Sequence, residues 1–248
     1  MPDQVPPGVS RAFEVLVPAT LTLIITACIE SAYYNIIGLY LNDIIKNSIQ
    51  DPLGSLGATV PGFIILYLVI MLFWLVGIHG NNMVSAVKES IFTPLALEKF
   101  NRGEKTTNII NMYAIQMWGE IGGSGCTLGL VIAIFIFSKR EDNKAIASLS
   151  LIPGLFEINE TVTFGIPFVL TSIVLEIVGY VLTVIGFCPV ACLTVPWTCP
   201  PLIFGFLATG VNIMGAVTQA ILIAISVVIY TPFLISYEKY QNKQAVET

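Results

Sequence analysis

Two carboxylates and an amide, Glu157, Asn159 and Glu160, stand inside the otherwise apolar stretch Leu151-Ile-Pro-Gly-Leu-Phe-Glu-Ile-Asn-Glu-Thr-Val-Thr-Phe-Gly-Ile-Pro167. A carboxylate in hydrocarbon costs about 3 kcal/mol or more unless it faces protein, water or a ligand, so an acid in such a run marks a functional site. A carboxylate within reach of a hydroxyl can take its proton. Pro153, Gly154, Gly165 and Pro167 interrupt the run and allow a broken or re-entrant helix.

Other stretches carry groups of the same kind. Gly77-Ile-His-Gly-Asn-Asn82 sets the single histidine, His79, between glycines and directly before two amides, Asn81 and Asn82. A lone histidine is more often a satisfied core residue, and both readings stand at this point. Gly122-Gly-Ser-Gly125 follows Glu120 and contains Gly123 and Ser124. No Lys-Ser/Thr follows it, so it is not a phosphate loop, and a glycine kink beside an acid suits unwound backbone that lines a cavity. Thr194-Val-Pro-Trp-Thr-Cys-Pro-Pro201 offers Trp197 as a flat stacking face and Thr198 as a hydroxyl. An interfacial tryptophan anchor beside a proline-rich loop fits equally well.

The elements that position these groups are set by composition. The chain has 248 residues, 55% of them hydrophobic and 11% charged, with a mean hydropathy of +0.84. Soluble domains average about 25% charged, and no Lys, Arg, Asp or Glu occurs between Glu176 and Glu238. The expectation is an all-α polytopic membrane protein with about five transmembrane helices (each about 20 apolar residues), plus interfacial amphipathic helices and re-entrant helical hairpins. Apolar segments run over 13–40, 60–78, 127–137, 172–190 and 212–235, and an amphipathic one over 41–56. Glu30 lies inside the first, facing either a partner helix or a substrate. Residues 1–11 read as a linker, 12–238 as the transmembrane domain and 239–248 as a cytoplasmic tail. The charged loop Ser138 to Lys144, with Lys239 and Lys243, points to the cytoplasmic side.

Several classes drop out. A net charge of −5, with eleven basic residues that fall mostly in a few short clusters, leaves no face for nucleic acid. Five cysteines without a C-x-x-C pair, and one histidine, give neither a disulfide framework nor a metal site. No cofactor is expected.

Taken in order, Gly77-Ile-His-Gly80, Ile121-Gly-Gly-Ser-Gly125 with Thr127-Leu128, Pro153-Gly-Leu-Phe-Glu-Ile-Asn-Glu160 with Phe164-Gly-Ile-Pro167, and Val195-Pro-Trp-Thr198 with Pro200-Pro201 carry a resemblance. The chain resembles the membrane component (enzyme II C) of the lactose, cellobiose and diacetylchitobiose family of the bacterial sugar phosphotransferase system. It resembles only the C-terminal, sugar-binding half of such proteins, with Thr161 where the family has proline and Cys199 where it has threonine.

The resemblance implies a multi-pass protein of the bacterial inner membrane that binds a disaccharide and moves it across the bilayer, coupled to its phosphorylation. It implies that His79 and Glu160 flank the hydroxyl to be phosphorylated, that Asn159 and its neighbours hydrogen-bond the sugar, and that Trp197 lies in or near the pocket. The phosphoryl donor is then a phosphocysteine on a separate enzyme II B, and lipid and a second copy in a homodimer are the other partners. An uncharged sugar asks for amides and hydroxyls rather than Arg or Lys, and no basic residue is near these motifs in sequence. Glu157 shares a face with Glu160 if the segment is helical, and repulsion between them then sets their protonation. The competing expectations are an ion-coupled secondary transporter with Glu30, Glu120, Glu157, Glu160 and His79 as protonation sites, and a truncated inactive or accessory subunit.

Overall fold

A computed structural model describes residues 7–40, 43, 59–97, 106–165 and 171–247. Every element among them is helical: α1 Pro7–Ile37, α2 Val60–Leu75, α3 Gly80–Leu97, α4 Met112–Gly119, α5 Thr127–Phe137, α6 Glu141–Gly154, α7 Glu160–Gly165, α8 Thr171–Val184, α9 Ile203–Ala208 and α10 Ile213–Glu247. The all-α expectation holds. The amphipathic segment expected over 41–56 lies outside the described residues, apart from Asp43.

The chain divides into two compact units, Met1–Pro52 and Leu53–Thr248. The first holds α1, which is helical from Pro7, carries Pro18 inside it, and has Thr22 and Thr26 donating back to carbonyls one turn earlier. Among the described residues two helices are long and apolar enough to cross a bilayer, Pro18–Ile37 within α1 and Ile213–Lys243 within α10. Val60–Leu75, Thr127–Phe137 and Thr171–Val184 are apolar but shorter.

In the second unit α10 is the spine. It packs along α5, α9 and α8. Its Gln219 is buried and makes three hydrogen bonds: Oε1 accepts the Leu202 N–H at 2.7 Å and the Gly205 N–H at 2.9 Å, and Nε2 donates to the Met117 carbonyl at 3.2 Å. One amide therefore ties α10 to α9 and to α4, satisfying backbone groups that lipid leaves without a partner. Farther along, Tyr230 donates to the Gly125 carbonyl. Glu238 accepts from the Ser138 hydroxyl, the Asn143 amide and the Lys139 N–H, closing α10 onto the α5–α6 turn. At that turn the Arg140 guanidinium hydrogen-bonds Asp142 and holds its carboxyl below the ordinary range. The core beneath is aromatic: Trp118, Tyr67, Tyr230, Phe63 and Phe92 are fully buried.

The elements around the glycine loop break where the sequence breaks them. The Thr59 hydroxyl caps α2 at the Gly62 N–H. Residues 185–202 run without helix through their prolines as far as α9, with the backbone of Cys192 and Leu193 bonded to the Ala208 carbonyl. The chain beyond Glu238, expected as a tail, continues α10 to Glu247.

Close approach is built into the α9–α10 contact, where a Cβ on Gly215 would lie 2.1 Å from the Gly205 carbonyl oxygen. Gly215→Ala is expected to cost about 1–3 kcal/mol through this overpacking against backbone, read as a lowered thermal midpoint of the detergent-solubilised protein. An unchanged midpoint would mean that α9 and α10 do not meet in this way.

Candidate functional site

His79 is placed by the turn between α2 and α3. Its carbonyl accepts the Met83 N–H, and its Nδ1 accepts the Asn82 N–H at 3.3 Å, so the imidazole caps the first turn of α3. The ring lies against Trp74, with centroids 4.4 Å apart, and Trp74 is also packed on Phe164. Because Nδ1 is an acceptor, the neutral ring carries its proton on Nε2. That nitrogen stands 3.6 Å from Glu160 Oε1. The separation is too long for a direct hydrogen bond and leaves the two groups facing across a gap.

Glu160 opens α7, one residue after Asn159. The Asn159 carbonyl receives the Val162 and Thr163 N–H groups, while its side-chain amide donates to the Ser124 carbonyl at 2.7 Å. Asn81, on α3, donates to the Ser124 hydroxyl at 2.6 Å. Glu157 Oε2 accepts the Gly123 N–H at 2.7 Å. One unwound loop between α4 and α5 thus receives side chains from both α3 and the α6–α7 turn. Gly123 permits it: its φ is +91°, and a Cβ there would lie 2.4 Å from Asn159 Cγ. The helical sharing of a face by Glu157 and Glu160 does not occur, because Glu157 has φ +66° in the turn before α7. Its carboxylate is used by the glycine loop instead.

A cavity of about 210 Å³ opens between these pieces. His79, Asn81, Asn82, Glu157, Asn159, Gly123, Ser124 and Trp197 all line it, so most of the site residues read from sequence converge. Glu160 meets it through His79 rather than as a lining residue. Trp197 is 57% exposed, which leaves its ring free to take a ligand. Thr198 lies beside it without lining the cavity, and Glu30 lies on α1 in the other unit.

Sequence reasoning missed part of the wall. Ser85, Lys88 and Glu89 of α3, Met112 and Gln116 of α4, Glu120 and Phe204 also line the cavity. The expectation that no Lys stands near it is therefore corrected: Lys88 is buried and paired with Glu120 at 2.8 Å. The signal available was the spacing Asn81-Ser85-Lys88, which continues one face of α3 from the amides.

Two acceptor oxygens in the site, Asn81 Oδ1 and Glu160 Oε2, are buried without a hydrogen-bond partner. Buried acceptors left unmade cost about 1–3 kcal/mol each, and what they lack is donors. Polar groups on every side and one aromatic face therefore line the cavity. Among the described residues no cluster of His, Cys, Asp or Glu has the make-up of a metal site.

Comparison with known proteins places the chain in a family. Residues 1–178 match the family described as "Phosphotransferase system, EIIC". The chain is 36% identical to the lichenan permease IIC component of Bacillus subtilis (strain 168), covering 98% of this chain and 57% of that protein. It is 32% identical to the cellobiose-specific EIIC component of Lactococcus lactis, with 98% and 56% covered. It is 30% identical to the lactose-specific EIICB component of Streptococcus mutans, with 96% and 44% covered. Among solved structures, the transporter ChbC, the IIC component of an N,N'-diacetylchitobiose-specific phosphotransferase system, matches with a TM-score of 0.73 at 32% identity over 99% of this chain and 60% of that one. The chain spans little more than half the length of these IIC relatives.

The anchoring of the glycine loop gives a graded expectation. Asn159→Ala removes the donor to the Ser124 carbonyl and leaves that buried oxygen unpaired, at about 1–3 kcal/mol. Ser124→Ala keeps the carbonyl and loses only the Asn81 contact, so its thermal midpoint should fall less. The reverse order would show that Asn159 is not what holds the loop.

Proposed function

The chain belongs to the phosphotransferase-system EIIC family, and from that premise we propose that it binds a disaccharide of the cellobiose, diacetylchitobiose or lactose type in the cavity beside His79 and presents it for phosphorylation during uptake. The observation that carries this reading is the approach of His79 Nε2 to Glu160 Oε1 at 3.6 Å, beside the cavity that His79 lines. A sugar hydroxyl placed there accepts from the Nε2–H and donates to the carboxylate.

In the transfer step the hydroxyl oxygen attacks phosphorus, Glu160 takes the hydroxyl proton, and the bond from phosphorus to the donor sulfur breaks. His79, neutral and capping α3, stabilises charge building on the oxygen without adding a net charge of its own. Asn81, Asn82 and Asn159, with Ser124 and the Gly123 backbone beside them, set out the hydrogen bonds that orient the sugar, while Glu157 holds the loop that carries them. The Trp197 ring takes an apolar ring face, with Thr198 next to it. The phosphoryl donor in this reading is a phosphocysteine on a separate enzyme II B component. That matched relatives include EIICB components supports such a pairing.

The same proposal makes residues 12–238 a sugar-binding domain of the bacterial inner membrane. Its spans are α1, α2, α5, α8 and α10, with the α6–α7 turn and residues 195–210 re-entrant, lipid around it and a second copy in a homodimer. A sugar phosphate formed on the cytoplasmic side is charged and does not return through the bilayer, which gives uptake its direction.

Calorimetric titration of the detergent-solubilised protein with cellobiose, diacetylchitobiose and lactose tests this. One of the three is expected to bind in the micromolar range. In Glu160→Gln the affinity should fall about tenfold or more, as for loss of a hydrogen bond to a charged group, and phosphoryl transfer from a phosphorylated B component should be abolished. Folded protein that binds none of the three sugars would overturn the proposal.

A further inference from the structure

A second polar group stands in the cavity wall, and the transfer step does not use it. Lys88 of α3 donates to Glu120 Oε1 at 2.8 Å, and the wholly buried Tyr67 of α2 donates its hydroxyl to the same oxygen at 3.0 Å. Both donors converge on one carboxylate oxygen. Glu120 Oε2 receives no hydrogen bond among the described residues and is not among the sealed atoms that lack a partner. Glu120 and Lys88 both line the cavity.

This arrangement differs from a purely structural ion pair. A buried pair kept for packing alone is sealed, with its remaining lone pairs satisfied, because desolvation otherwise exceeds the attraction. Here one oxygen is clamped inside the protein and the other is offered to the cavity, with the Glu120 side chain 12% exposed. The backbone at this point is also fixed. Gly119, the preceding residue, sits so close to the fully buried Glu176 of α8 that a Cβ would lie 2.1 Å from Glu176 Oε1. Lys88 cancels the charge of Glu120, so the pair offers a strong acceptor without selecting for a cationic ligand.

We infer that Glu120 is a specificity-determining residue of the cavity: its Oε2 accepts one hydroxyl of the bound sugar other than the hydroxyl held between His79 and Glu160, and Lys88 and Tyr67 hold it in that orientation. The inference rests on the sugar-binding reading of the cavity. It assigns to Glu120 the recognition of a particular ring position and no part in proton transfer. In Glu120→Gln, Lys88 and Tyr67 claim the amide oxygen. The NH₂ then faces the cavity, where it cannot accept a hydroxyl proton.

The experiment is a cycle between protein and sugar. The disaccharide bound most tightly among cellobiose, diacetylchitobiose and lactose, and its monodeoxy derivatives, are titrated into wild type, Glu120→Gln and Lys88→Met. In wild type one monodeoxy derivative, distinct from the one lacking the phosphorylated hydroxyl, is expected to bind about tenfold more weakly than the parent. In Glu120→Gln the parent should be weakened by a similar factor, and that same derivative should lose nothing further. Lys88→Met, which releases the carboxylate from its orientation, should erase the same preference and supplies the result if Glu120→Gln does not fold. Wild type that binds sugar while every derivative loses as much in the variants as in wild type would overturn this inference alone. Wild type that binds no sugar overturns it together with the reading on which it rests.

Discussion

The arrangement depends on the hydrogen bonds that the glycine loop at Gly122–Gly125 receives from other elements. In a bilayer, backbone that leaves the helix must find its partners inside the protein. Here Glu157 takes the Gly123 N–H, Asn159 donates to the Ser124 carbonyl, and Asn81 donates to the Ser124 hydroxyl. The two side chains that satisfy the broken backbone come from the turn leading to Glu160, and Asn81, in the first turn of α3 beside His79, holds the loop's Ser124 side chain. The cost of interrupting a helix in an apolar setting is thus offset by the contacts that bring His79 and Glu160 together.

Electrostatics sets what this cavity offers a ligand. Buried charge is costly unless it is matched, and the buried charges in the wall are compensated or used: Lys88 sits on Glu120, and Glu157 sits on a backbone N–H. His79 has its tautomer set by the α3 terminus. What remains for a ligand is a surplus of acceptors, a few amide and imidazole donors and one aromatic face. Sugars combine hydroxyl donors with apolar ring faces. The proposed sugar reading uses that combination, and the chain's fold is similar to that of a IIC component.

Much of the site was legible because the relevant residues violate their surroundings. Glu157, Asn159 and Glu160 stand out in an apolar run, His79 between glycines, and Trp197 among prolines. Lys88 and Glu120 did not stand out in the same way. Lys88 lies in a mixed-charge stretch that has the pattern of a helix facing solvent or lipid headgroups, and that pattern does not say which of its polar faces turns inward. The assumption that a sugar pocket avoids lysine failed because a lysine already neutralised by a carboxylate adds no net charge. Equally, Glu157 three residues before Glu160 reads as a helical pair until the left-handed backbone at Glu157 is known, and no residue type there announces it.

The sequence by itself determined an all-helical, lipid-compatible chain, the points at which its helices break, and the residue types available for chemistry. Hydropathy, proline and glycine act locally, so these properties follow from short stretches. Only the tertiary structure decided which broken ends meet. The pairing of Asn81 and Asn159 on Ser124, the orientation of His79 Nε2 toward Glu160, and the closing of the wall by Lys88 and Glu120 join residues separated by tens of positions. Such contacts depend on how helices pack, through close approaches such as Gly215 on Gly205 and Gly119 on Glu176, and no local pattern encodes them.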